Sequence, residues 1–132
     1  MINYNEAFNS AKLVPGAHKY ISDWKSNAEE FRKTMLVQSK AEIDFSFSDN
    51  KDYKMDIFTP GPYAKASIVF LHGGFWTDYN KSYFSHLAMG PVLNDVRVVI
   101  PDLPKCPDFT IPEIGLEVVK CLKTVSRRFK GE

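Results

Sequence analysis

The 132-residue chain contains only two cysteines, Cys106 and Cys121, both in its last third. So few thiols exclude a disulfide framework, and a reduced, cytoplasmic setting is expected. The three histidines, His18, His72 and His86, are dispersed along the chain. With the two cysteines they form no metal-ligand spacing, so neither a metal nor a cofactor is expected. Neither sign of charge dominates: 17 lysines and arginines face 16 acids, for a formal net charge of +1. There is no field to gather nucleic acid or an anionic membrane surface, and neither is an expected partner. No apolar run approaches a membrane span, and Met1-Ile2-Asn3-Tyr4-Asn5-Glu6 lacks the basic start and apolar stretch of a secretory leader. Repeats and low-complexity tracts are also missing. What is present, 44% hydrophobic and 14% aromatic residues, suffices for the core of one globular domain.

After Pro15-Gly16, the residues Ile21, Trp24, Ala28, Phe31 and Met35 recur at spacings of three and four, with charged residues between them. That period predicts an amphipathic helix closing a helical segment over 1–40. From residue 41 the period becomes two. Ile43, Phe45 and Phe47 alternate with polar neighbours, Ser48-Asp49-Asn50-Lys51-Asp52 turns, and Tyr53, Met55 and Ile57 alternate again, which predicts an antiparallel hairpin. Beyond Pro60-Gly61-Pro62, Ala66-Ser67-Ile68-Val69-Phe70-Leu71 is a short continuous apolar run, expected to be a central parallel strand buried on both faces.

His72-Gly73-Gly74 ends that run. A helix capped by Asp78 or Asn80 is expected next, using Phe84, Leu87 and Ala88 and stopped by Gly90-Pro91. Val96-Arg97-Val98-Val99-Ile100 then reads as a second β-branched strand, completing a βαβ unit. Thr110-Ile111-Pro112-Glu113 has capping-box spacing, ahead of a helix whose buried stripe is expected to be Ile114, Val118, Leu122, Val125 and Phe129. Its late bases, Lys120, Lys123, Arg127, Arg128 and Lys130, suit the helix dipole and read as a solvated end.

The chemistry centres on His72-Gly73-Gly74-Phe75-Trp76. One glycine is enough for a sharp turn, so two after a histidine and before two aromatics admit two explanations. One is a tight turn with the aromatics in the core. The other is a set of backbone amides facing a cavity, where they can stabilise the oxygen of a tetrahedral intermediate.

The stretch from Ile68 to Trp76 resembles the third strand and oxyanion loop of α/β-hydrolases. The aromatic followed by Trp resembles the kynurenine formamidase (arylformamidase) branch and its esterase relatives. Tyr4-Asn5, Lys81-Ser82, Leu103-Pro104-Lys105-Cys106-Pro107 and Thr110-Ile111-Pro112-Glu113-Ile114 extend the likeness across most of the chain. The resemblance implies a partial α/β-hydrolase fold: an N-terminal helix, an antiparallel hairpin, then βαβα with parallel strands, without the C-terminal half. It further implies one truncated domain over 1–132, with helix in 1–40 and the sheet with its covering helices in 41–132. It assigns oxyanion donors to Gly73, Gly74 and Phe75, a substrate-pocket wall to Trp76, and a structural loop role to His72.

The chain has no Gly-x-Ser-x-Gly elbow, and no histidine follows His86. Nucleophile, acid and base are therefore absent together, and no turnover is expected of the chain alone. Ser82, Ser85, His86 and Asp102 supply the residue types of a triad, but they read as a solvated helix face beside a strand end. His18 is a lone helix-start histidine. The expected reaction of the family is deformylation of N-formylkynurenine or hydrolysis of small aryl amides and esters. The alternative is a non-catalytic fragment or pseudoenzyme that binds small aromatics or pairs with another chain. A sheet stopping at the strand over 96–100 would leave a free edge there, favouring homo-oligomers.

Overall fold

The computed structural model describes residues 2–50 and 52–130; Lys51, in the expected hairpin turn, lies outside the described residues. Two short helices, α1 (Tyr4–Ala7) and α2 (Ser10–Leu13), precede α3 (Ala17–Val37). Gly16, at φ 74°, starts α3. Its end is a Schellman motif: Ser39 takes a left-handed conformation at φ 55°, its amide donates to the Leu36 carbonyl, and the Lys40 amide donates to Met35. Ala28, Phe31 and Met35 are buried, as the periodicity predicts, whereas Trp24 remains 37% exposed.

Four strands follow: β1 (Ala41–Ser46), β2 (Lys54–Phe58), β3 (Ala66–Val69) and β4 (Val96–Pro101). They form one sheet in the order β1-β2-β4-β3. β1 and β2 make the expected antiparallel hairpin, β2 pairs antiparallel with β4, and β3 pairs parallel with β4. The expected arrangement of N-terminal helix, antiparallel hairpin and βαβα is therefore present.

The hairpin carries a bulge. Glu42 faces Ile57 but Phe45 faces Met55, so Ile43 and Asp44 together oppose Asp56, and Asp44 adopts φ 61°. The extra residue turns the strand's alternation over. Ala41 and Ile43 pack with Phe31, Met35 and Phe58 under α3, whereas Phe45 and Phe47 pack with Met55, Ile57 and Val99 on the opposite face.

β4 is the spine of the sheet. Val98 and Ile100 belong to the α3-side core and Val99 to the other, so the strand is apolar on both faces. β3, expected to be central, is instead an edge strand with Ile68 45% exposed. β4 inserts between β2 and β3, leaving the far side of β3 without a neighbour among the described residues. Among the described residues the strand after the crossover, β4, is thus interior, and β3, like β1, lies at an edge.

The β3-to-β4 connection also departs from one continuous helix. It comprises two 3-10 turns, Lys81–Tyr83 and Ser85–Ala88, then α4 (Met89–Leu93). Asn80 caps the first turn by accepting from the Ser82 amide; Asp78 does not cap it. Gly90 and Pro91 do not stop a helix but sit inside α4, where a first-turn proline has no lost hydrogen bond to regret.

α5 (Ile111–Arg128) covers the second face. The Glu113 carboxylate accepts from both the amide and the hydroxyl of Thr110, at 2.7 and 2.8 Å, which lowers its pKa. Ile114, Cys121 and Val125 are buried, while Leu122 is 46% exposed. Steps of three and four from Ile114 reach Cys121 rather than its larger neighbour, and its Sγ lies 3.8 Å from Met55 Sδ. At the basic end, Arg128 pairs with Glu42 at 2.6 Å and lies 4.3 Å over Phe45. Among the described residues no helix is long and apolar enough to cross a membrane.

Candidate functional site

β3 ends in the glycine turn. Gly74 has φ 122°, a conformation that side chains rarely adopt, and a Cβ there would lie 2.6 Å from the Asp78 carbonyl and 2.9 Å from Tyr79. The turn is closed by the amides of Thr77 and Asp78, both donating to the Gly74 carbonyl at 3.0 Å. Phe75 and Trp76 continue it at φ 52° and 59°, strained values for residues with side chains. Gly73 is unconstrained: a Cβ on it meets nothing within 4 Å. Among the described residues, the amides of Gly73, Gly74 and Phe75 donate to no protein acceptor. The loop therefore presents a short row of free N–H groups held by strained backbone.

The aromatics do not fill the core, as the simpler explanation of the two glycines would require. Phe75 is 81% exposed and Trp76 55%. His72 is held in place: its ring stacks on Phe84 at 5.3 Å, and its Nδ1 lies 2.8 Å from the Gly73 carbonyl. Trp24 joins this group, 6.3 Å from Tyr79 and 6.0 Å from Phe84. Beside it an apolar cavity of about 270 Å³ opens between Val14, Tyr20, Ile21, Trp24 and Tyr79.

The triad-type residues are not brought together. The Ser82 hydroxyl donates to Asn80, because the 3-10 turn keeps it near its own cap. Ser85 is fully buried, not on a solvated face. Burial also lowers the His86 pKa, and its Nδ1 is partnerless among the described residues. His18 is exposed.

Sequence reasoning missed the main electrostatic feature, a buried cation behind the loop. Lys81 is 5% exposed, with its Nζ 2.7 Å from Asp44, 3.0 Å from Asp56 and 3.7 Å from Asp102. Arg32 of α3 adds a contact to Asp56 at 3.3 Å. Burial pulls the Lys81 pKa down, but the three carboxylates outweigh it and hold the ammonium above its ordinary value. The hydrogen bond from Lys81 lowers the pKa of Asp44. The bulge aims Asp44 here, and its amide donates to Asp56 at 3.1 Å. The available signal was Asp56 itself, an acid between Met55 and Ile57 whose face also carries Phe58.

No family model matches the chain, and no curated protein is similar enough to match it. Solved structures are similar. A candidate thioesterase from Silicibacter sp. TM1040 superposes with a TM-score of 0.90 at 28% identity, over 99% of this chain and 49% of that one. A thermophilic carboxylesterase from a metagenomic library (TM-score 0.59, 19% identity) covers 76% of this chain and 39% of its own. An inhibited esterase B from Lactobacillus rhamnosis (TM-score 0.59, 13% identity) covers 83% and 39%. The chain thus has a partial α/β-hydrolase fold, similar to esterase and thioesterase structures, and spans about half the length of the first of these relatives.

Proposed function

We propose that the chain carries the oxyanion-stabilising part of a serine hydrolase acting on small esters, thioesters or aryl amides, with N-formylkynurenine as the candidate amide. The observation that carries this reading is the turn after β3: Gly74 at φ 122°, with the neighbouring amides of Gly73 and Phe75 unbonded among the described residues. Preorganised amides of this kind stabilise developing negative charge because they need no reorientation as the reaction proceeds. Trp76 walls the acyl or ring pocket, and His72 is a loop prop, not a base. The nucleophile, its base and the orienting acid do not come from this chain, whose seven glycines bracket no serine elbow.

The test is hydrolysis of N-formylkynurenine and p-nitrophenyl acetate by the purified chain and its Gly74→Val variant, beside labelling by a serine-reactive fluorophosphonate. Neither turnover nor stoichiometric labelling is expected. Turnover abolished by Gly74→Val would establish a nucleophile within this chain and overturn the inactivity. Turnover indifferent to Gly74→Val would overturn the oxyanion role.

A second reading, non-catalytic pairing or small-aromatic binding, is favoured by the unpaired edge of β3 and the exposed Ile68 and Leu71. Leu116, Val119 and Leu122 form a further exposed apolar row on α5. Unpaired strand edges beside apolar surface are routes to association.

A further inference from the structure

The buried Lys81 cluster ties the segment that follows the glycine turn to β1, to β2 and to the residue after β4. Two bonds from one segment grip the turn at separate points. The Cys106 amide donates to the Trp76 carbonyl at 2.8 Å, and Asp102 accepts from the Lys81 amide at 2.8 Å. Between them lie Thr77 and Asp78, whose amides close the turn on Gly74. The Lys81 side chain then anchors the outer grip to the sheet through Asp44 on the β1 bulge and Asp56 on β2.

We propose that Lys81, with Asp102, is a positioning residue that clamps the glycine turn to the sheet and holds Gly74, Phe75 and Trp76 in their positive-φ conformation. Strained backbone persists only where its surroundings over-determine it. The surroundings of Phe75 and Trp76 are otherwise sparse, since both side chains are more than half exposed. The clamp is that over-determination. An exposed salt bridge would be too weak for the task. Lys81 and Asp56 are buried, so loss of the ammonium leaves Asp56, away from water, with only the longer Arg32 and Asp44-amide contacts. The importance of the clamp to catalysis rests on the oxyanion reading above; its existence does not.

The test is native-state amide hydrogen exchange on the full chain. The amides of Thr77, Asp78 and Cys106 report the closed turn, and those of α5 report the remainder of the fold. In Asp102→Ala, exchange at the three turn amides should accelerate at least about ten-fold more than in α5, the pattern of local rather than global opening. Asp102→Asn keeps an oxygen to accept from the Lys81 amide and should stay within about three-fold of the wild type at the same amides. Lys81→Met should open the turn as Asp102→Ala does. If that variant fails to fold, Asp44→Ala, which removes the shortest contact from a half-exposed side chain, should produce the same selective acceleration. Acceleration shared equally with α5, or the same response to Asp102→Ala and Asp102→Asn, would overturn the clamp while leaving the hydrolase reading intact. Loss of the oxyanion role in the turnover assay would leave the clamp standing.

Discussion

Replacing Gly74 by alanine isolates the backbone demand of the turn. The new Cβ meets the Asp78 carbonyl at 2.6 Å and the Tyr79 ring at 2.9 Å, with φ at 122°. An L residue in so sparsely populated a region costs roughly 1–3 kcal/mol. Relieving the clash by moving Asp78 also sacrifices its bond to Gly74, and with it that of Thr77, at about 0.5–1.5 kcal/mol each. The turn can release locally rather than take the chain with it, so the loss cannot exceed what the closed turn contributes. We expect about 2 kcal/mol, a fall in Tm of roughly 6–10 °C for a domain of this size. Gly73→Ala is the internal control. Its Cβ would meet nothing within 4 Å, so the change should stay within about 0.5 kcal/mol. Urea and thermal unfolding of both variants, followed by circular dichroism, make the comparison. Equal loss in both variants, or none in Gly74→Ala, would refute the assignment of strain to Gly74.

Four further outcomes are expected. Ellman's reagent should modify Cys106 quickly and Cys121 only after unfolding, since burial against Met55 pushes the Cys121 thiol up to about 11; equal rates would mean that α5 is not seated on the sheet. Lys81, with its pKa raised, contributes stability that is complete below its unfolded value of about 10.4 and lost as pH rises through the higher folded value. Asp44, with its pKa lowered, contributes stability present above about 3.9 and lost as pH falls through the lower folded value. The stability gap between wild type and Asp44→Asn should therefore stay level between those limits and close beyond either; a gap that changes near neutrality would contradict the cluster. Ile100→Ala should cost about 2–5 kcal/mol by opening a cavity, while Leu122→Ala should stay within about 0.5 kcal/mol, a contrast set by burial and not by hydrophobicity. Sedimentation should show dimers or larger species that Ile68→Lys reduces, because a charge on β3 opposes edge pairing; a wild-type monomer would count against association.

The elements that could be read from the sequence are those whose burial is set by their own pattern. β4 is apolar on both faces, and its β-branched run announces it. The C-terminal half of α3 and the cap of α5 are equally local. Where a neighbour decides, the pattern misleads. Residues 66–71 have a core composition, yet Ile68 is 45% exposed, because among the described residues β3 has a strand on one side only. The bulge at Ile43 and Asp44 leaves no mark on the alternation, although it moves Phe45 and Phe47 to the other layer. The Lys81 cluster was hidden by distance along the chain: its partners stand between 21 and 37 residues away. For the site, the turn and its glycines were visible in the motif, but which glycine bears the strain was not.

The strand order carries a consequence for how the molecule comes together. Among the described residues β4 follows the other three strands in sequence, and both β2 and β3 attach to it and not to each other. Until residues 96–101 have left the ribosome, the sheet can consist of nothing beyond the β1-β2 hairpin, and an isolated hairpin is marginal in water. The glycine turn follows β3, so it too is fixed only after β4 arrives. Assembly of sheet, clamp and turn is thus expected to be a single event that waits for β4, with β3 unpaired and exposed to wrong partners until then.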